Sequence, residues 1–273
     1  MELAEDSFML PGFGSIELTL TLLLLLVLAG LAAGWIDAVV GGGGLIQLPA
    51  LLLLFPDMTA VQAIATNKVG SIMGTSVASA TYYRRVHPDL RTAAPMAIAA
   101  LIASIGGAAL ASFIPESALR PIIIVVLVAV LGYTLAKPTL GTATDLRWEG
   151  NRHYVAAAGI GLVIGLYDGM LGPGTGSFLV LALVGVIGYA FLPASALAKI
   201  VNFATNLGAL MFFVPAGHVV WGVGLVVGAA NLVGAYIGAR MAVAKGNRFV
   251  RVAFLVVVAA LIVRLGWDLV TGA

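Results

Sequence analysis

Apolar residues run through this chain in long blocks, separated by short polar or glycine-rich breaks. The blocks fall near 16–40, 44–55, 61–83, 92–113 and 118–136. A polar stretch, KPTLGTATDLRWEGNR, follows from Lys137 to Arg152. Five more blocks fall near 154–171, 175–191, 194–213, 219–243 and 248–270. A helix needs about 20 apolar residues to cross the hydrocarbon of a bilayer. The pattern therefore predicts an all-α membrane protein with about 8–10 transmembrane segments. Block 44–55 is too short to cross and reads as a half-span or as one arm of a re-entrant hairpin.

The two sets of blocks are related. Shifted by 131 positions, GWIDAVVGGGG from Gly34 falls on GLYDGMLGPGT from Gly165. Asp37 lands on Asp168, Gly41 on Gly172 and Gly43 on Gly174. In the same register Lys68 lands on Lys199, His87 on His218 and Gly107 on Gly238. A register held this far without a gap points to duplication. The predicted organisation is a first transmembrane repeat at 16–136, a cytoplasmic linker at 137–153 and a second repeat at 154–270. Repeats of this kind mark transporters.

Composition removes the soluble alternatives. Hydrophobic residues make up 61% of the chain and charged residues 10%, and the mean hydropathy is +1.10. A soluble chain carries about 25% charged residues, so lipid must solvate most of this surface. The net charge of +2 comes from lysines and arginines in short loops, which orients a membrane protein and is no nucleic-acid footprint. There is no cysteine, and three histidines at 87, 153 and 218 make no convincing metal cluster. No cofactor is expected. The start, MELAEDSF, is acidic, unlike the basic start of a cleavable signal. The clusters Arg84, Arg85, Arg91; Lys137, Arg147, Arg152; and Lys245, Arg248, Arg251 fit one topology, with both termini extracytoplasmic and the linker inside. Each repeat then crosses an odd number of times, and the second is inverted relative to the first.

Three groups of residues carry candidate chemistry. The first is the pair of glycine-rich breaks, Gly41 to Gly44 and Gly172 to Gly176, in broken or re-entrant helices. Broken backbone at membrane depth is tolerated only inside protein or beside a water-filled cavity. Exposed helix N-termini there suit an anion, which nominates Gly43, Gly44, Gly174 and Thr175. The second is Asp37 and Asp168, intramembrane carboxylates that either respond to protons or pin the broken backbone as caps. The third is Lys68 and Lys199. Lys199, Asn202 and Asn206 share one helix face, as do Lys68, Ser71 and Thr75, with Asn67 beside Lys68. Such stripes offer an oxyanion point charge and neutral donors, and snorkelling to a headgroup is the alternative. Trp35, Trp148, Trp221 and Trp267 read as interface anchors, Arg240 and Arg264 as snorkelling side chains, and Gly106, Gly107, Gly234 and Gly238 as packing contacts.

The runs GWIDAVVGGGGLIQLPALL, AIATNK and GLYDGMLGPGTGSFLV resemble the sulfite exporter TauE/SafE family of bacterial permeases. The resemblance covers about Leu28 to Trp267. The second half departs from it at Pro173 and Thr175, and carries Leu-Ala-Lys in place of Thr-Asn-Lys. The resemblance implies a multi-pass bacterial inner-membrane permease that moves small sulfur-containing anions outward, such as sulfite or an organosulfonate like sulfoacetate.

The expected function is thus a secondary exporter of a small anion, working by alternating access at a midplane site between the repeats. Lys68 and Lys199 would bind the anion with Asn67, Asn202, Asn206 and the breaks, and protons are the candidate coupling ion. The expected partners are this anion and the lipid bilayer, with a homodimer left open. Two other functions stay open at this level. One is an intramembrane aspartyl protease, although no GxGD sequence is present. The other is a passive anion channel.

Overall fold

The computed structural model describes residues 19–111 and 141–271. The block at 118–136 lies outside the described residues. Every regular element among them is helical. The first four helices are α1 Leu20–Val40, α2 Gly44–Leu54, α3 Ala60–Val86 and α4 Leu90–Leu110. After the described part of the linker come α5 Gly150–Met170, α6 Thr175–Ala182, α7 Phe191–Phe213 and α8 Trp221–Thr271. A π-helical turn, Leu183–Ile187, extends α6. The expected second repeat thus has its first helix begin at Gly150, earlier than position 154.

Each boundary has a local cause. Thr19 and Asp89 cap α1 and α4 by accepting backbone N–H groups, and Thr59 with Gln62 forms a reciprocal capping box on α3. Gly41, at φ 91°, ends α1, and its N–H bonds back to the carbonyl oxygens of Asp37 and Ile36. That left-handed geometry favours glycine. Gly246, at φ 73°, breaks α8 into 221–245 and 247–271.

Four helices among the described residues are long and apolar enough to cross a bilayer: α1, α4, α7 and the Trp221–Val257 part of α8. α2 has 11 residues, a rise of about 16 Å, roughly half of the hydrocarbon thickness. It turns back along α1, and α6 likewise turns back along α5. The bends of these two hairpins touch: Ser177 N–H donates to the Gly41 carbonyl at 3.0 Å, and Ser177 Oγ donates to the Val40 carbonyl at 3.1 Å.

Helix starts recur along the chain. α2, α3 and α4 begin at Gly44, Ala60 and Leu90, and α6, α7 and α8 begin 131 positions later at Thr175, Phe191 and Trp221. The packing recurs too, but across the halves. α1 lies against α8 and α5 against α4, while α3 packs on both α7 and α8. Glycine makes the two long seams close. A Cβ on Gly34 of α1 would sit 2.0 Å from the Asn231 carbonyl oxygen of α8. The same atom on Gly165 of α5 would sit 2.4 Å from the Ala100 carbonyl oxygen of α4. Small residues at such seams let backbones approach in a medium that supplies no hydrophobic drive between helices. Gly107, Gly234 and Gly238 belong to these seams as expected. Gly106 does not, since nothing lies within 4 Å of its would-be Cβ. The indole N–H of Trp35 reaches Met241 Sδ across the α1–α8 seam at 3.2 Å.

One rim of the bundle collects the basic loops. Asn247, beside the Gly246 break, accepts from Leu192 N–H at 2.9 Å and donates to the Gly141 carbonyl at 2.7 Å. Thr92 of α4 meets His153 of α5 at 2.7 Å. These bonds gather the starts of α4, α5 and α7, the linker and the α8 break at the same end. Arg91, Arg147, Arg152, Lys245, Arg248 and Arg251 all lie in or beside those segments.

Candidate functional site

The centre of the molecule is built from charges that a membrane protein would normally avoid. Lys68 lies on the inner face of α3 and is 1% exposed, and Lys199 on α7 is 0% exposed. Neither snorkels. A buried ammonium needs a counter-charge and acceptors, and each lysine finds them on a helix of the other half. Lys68 Nζ is 2.8 Å from Asp168 Oδ2 on α5, and it donates to the Asp168 carbonyl at 2.6 Å. Lys199 Nζ is 3.1 Å from Asp37 Oδ2 on α1 and also donates to the Asp37 carbonyl. The pairs are reciprocal: the first-half lysine holds the second-half acid, and the reverse.

One of these carbonyls also closes the helix end beside its break. The Asp37 carbonyl accepts both Gly41 N–H, at 2.8 Å, and the Lys199 ammonium. The Asp37 carboxylate is therefore bonded to a lysine, and the glycine turn is closed by the main chain. At Gly172, with φ 90°, a Cβ would lie 2.7 Å from Lys68 Nζ. Any larger residue would displace the ammonium. Asp168 Oδ2 is in ion-pair range of Lys68, yet no donor is aligned on it as a hydrogen bond, because the directed bond goes to the carbonyl.

Between the pairs lies a small polar cavity of about 10 Å³. Asp37, Asp168, Lys68, Asn67, Asn202 and Asn206 line it, with Ser71 and the break glycines Gly41, Gly44, Gly172 and Gly176. That volume suits about one water. Asn67 Oδ1 is buried there without a hydrogen-bond partner. Asn206 Nδ2 donates to the Asn202 carbonyl at 2.8 Å, which orders the α7 side of the cavity.

Of the residues nominated from sequence, the fold brings Lys68, Asn67, Asn202, Asn206, Gly44, Asp37 and Asp168 together around this cavity. Lys199 stands one contact behind it, through Asp37. Gly43, Gly174 and Thr175 do not line it. Gly43 packs onto the Ala33 carbonyl and Asp37, and Gly174 faces Leu45 and Phe178. Thr175 is used up inside its own turn, where its N–H and Oγ1 both donate to the Gly172 carbonyl, at 3.2 and 2.8 Å. Ser71, which shares the Lys68 face, joins the cavity, and so do Gly41, Gly172 and Gly176 of the breaks.

A polar chain behind the cavity escaped the sequence reading. Gln47 Nε2 donates to the Asn67 carbonyl at 3.3 Å, and Asn231 Nδ2 donates to Gln47 Oε1 at 2.7 Å. Both side chains are buried. Their signal was an amide inside each of two apolar blocks. Neither position has an amide 131 positions away, at Phe178 or Ala100, so the repeat could not flag them. Among the described residues no group of three or more His, Asp or Glu side chains is placed to hold a metal.

An all-helical bundle with several bilayer-length apolar helices, and lysine–aspartate pairs buried where two broken hairpins meet, defines a multi-pass membrane transporter. The chain belongs to the sulfite exporter TauE/SafE family, whose model matches residues 26–265. It is 36% identical over 249 residues to a probable membrane transporter protein, ORF9, from Sinorhizobium sp., covering 91% of this chain and 94% of that one. It is 33% identical over 257 residues to the probable membrane transporter protein YfcA of Escherichia coli K12, covering 94% of each. A probable membrane transporter protein of Haemophilus influenzae is 34% identical over 239 residues, covering 86% of this chain and 91% of that one. This is a family of transporters and not of enzymes. No solved structure matches the chain.

Proposed function

We propose that this protein is a secondary exporter of a small sulfur-containing anion, sulfite or an organosulfonate, in the bacterial inner membrane. Its two halves act as inverted repeats that rock about the central cavity. The reciprocal pairing of Lys68 with Asp168 and Lys199 with Asp37 carries this reading. It puts two buried cations close to one cavity, each held in reserve by a carboxylate that an incoming anion can replace. The recurrence of helix starts and of cross-half packing supports the two-repeat layout. A cavity of about 10 Å³ admits no multi-atom oxyanion, so the described geometry suits an occluded state without substrate. Loading then requires the hairpin bends to part.

Exchange of partners gives a route to coupling. A lysine that binds an oxyanion leaves its aspartate buried without a counter-charge, and a buried carboxylate then favours its protonated form. Anion and proton would load together and be released together, so the outward gradient of the anion, not the inward proton gradient, would drive export. A passive channel fits poorly, because the cavity is small and lined by paired charges.

Reconstitution in liposomes tests the proposal. Sulfite or sulfoacetate loaded inside should exchange saturably with external anion, and a pH gradient should drive accumulation. Transport of carboxylates alone would remove the sulfur-anion assignment, and unsaturable flux would favour the channel. Fusion reporters at position 273 and near Gly141 should report opposite sides of the membrane, and the same side for both would remove the inverted layout.

A further inference from the structure

A second concave site lies away from the central cavity, at the basic rim. The last turn of α3 and the adjoining stretch of α8 enclose a groove of about 480 Å³. Arg84 and Arg85 from α3 and Arg240 from α8 line it with Thr81 and Tyr236, and Val77 and Val243 form apolar wall. All three arginines are exposed. Arg240 is positioned by Tyr236: its Nη1 donates to the phenol oxygen at 2.9 Å, and its guanidinium stacks over the ring at 5.4 Å. Both ion pairs among the described residues are the central ones, so no carboxylate neutralises this group there. Three guanidinium groups converge on one groove, and part of its wall is hydrocarbon.

From this arrangement we propose that the groove binds the phosphodiester headgroup of an anionic phospholipid. Guanidinium forks match phosphate oxygens geometrically and lose less hydration than an ammonium. Basic pockets between transmembrane helices hold anionic headgroups in this way. The apolar wall decides between a lipid and free phosphate. Val77 lies more than a helical turn before Arg84 on α3, so the apolar wall extends along the helix away from the arginines, where an acyl chain would lie. A free phosphate has no use for that surface. Neither Asp37, Asp168 nor the central lysines take part, so the site stands apart from the transport reading.

The test is native mass spectrometry of the purified full chain in detergent, titrated with phosphatidylglycerol, with phosphatidylcholine and with inorganic phosphate. Wild type should retain phosphatidylglycerol in preference to phosphatidylcholine, and phosphate should not compete. The variant Arg84→Gln/Arg85→Gln/Arg240→Gln should bind phosphatidylglycerol about a hundredfold more weakly, at roughly 1 kcal/mol per arginine. A charge-matched variant, Arg91→Gln/Arg147→Gln/Arg152→Gln, removes three exposed arginines of the same rim outside the groove and should keep wild-type retention. Equal loss in both variants would reduce the effect to general rim charge and overturn the site. Retention unchanged in the groove variant, or phosphatidylcholine held equally well, would also overturn it. Competition by inorganic phosphate would reassign the groove to free phosphate.

Discussion

Lys68 and Asp168 are 100 positions apart in the chain and 2.8 Å apart at their charged atoms, with side chains 1% and 2% exposed. Such a pair is no source of net stability, because desolvating two ions offsets most of their attraction. Its place at the meeting point of two broken hairpins is better explained by use. A charge pair that can be separated and re-formed is what an anion carrier needs at its centre.

Breaking one side of the pair should show this. Lys68→Met leaves Asp168 buried without its cation, at a cost of about 3–5 kcal/mol. The double variant Lys68→Met/Asp168→Leu removes both charges and should recover most of that loss in thermal unfolding, while anion transport stays absent. A Lys68→Met protein as stable as wild type would mean that the pair is solvated and not buried.

The contact between the bends gives a second expectation. A Cβ at Gly41 would fall 2.2 Å from the Gly176 carbonyl carbon, on a backbone at φ 91°. Gly41→Ala should therefore destabilise strongly or block transport by holding the hairpins apart. Gly106→Ala is the control. Its Cβ meets nothing, and alanine is better than glycine in a helix by up to about 1 kcal/mol, so thermal stability should hold or rise slightly. Equal behaviour of the two variants in unfolding and transport would remove the tip-to-tip contact.

The difference between those two glycines shows what the sequence could reveal. Block lengths located the described helices, and the 131-position register matched the breaks, the acids and the lysines, because both are read from linear spacing. Who pairs with whom was hidden. Each lysine was expected to offer itself to substrate. The structure has each one engaged by an acid of the other half, so the fold is at stake as well. Glycine runs were read as anion-binding amides. In the fold, several of those amides close their own turns, as at Thr175, or bridge the two bends, as at Ser177. Glycine composition cannot say which amides are already satisfied. Gln47 and Asn231 were missed because a lone amide in an apolar block has no periodicity to announce it.

At the basic rim, Asp89 makes a pH prediction possible. Its partial burial favours the neutral acid. Bonds from the Thr92 hydroxyl, the Arg91 and Thr92 amides and Tyr189 outweigh that and hold its carboxyl below the usual 3.8. The folded value is thus the lower one. The contribution to stability is complete above the unfolded value and is lost as pH falls through the folded value. Asp89→Ala should cost about 1 kcal/mol at pH 6, as a lost helix cap, and the gap from wild type should narrow as unfolding is measured towards pH 3. A gap constant across that range would mean that the carboxylate charge contributes nothing to the cap.

Asp37 and Asp168 give the sharpest test of mechanism. Each carboxylate faces a buried ammonium, and Gly41 N–H closes the first break on the Asp37 main-chain carbonyl, not on its side chain. Substituting Asn therefore keeps the turn and an oxygen for the lysine to donate to, removes the titratable charge, and leaves the buried lysine without its counter-charge, a cost of the same kind as in Lys68→Met. If anion and proton load together by exchange of lysine partners, Asp37→Asn or Asp168→Asn should abolish accumulation driven by a pH gradient. Counterflow of labelled anion, which needs only binding and rocking, should persist, and its persistence also shows that the variant is folded. Gradient-driven accumulation surviving in the Asp37→Asn/Asp168→Asn double variant would end the coupling idea. The two acids would then serve only to neutralise Lys68 and Lys199 between substrates.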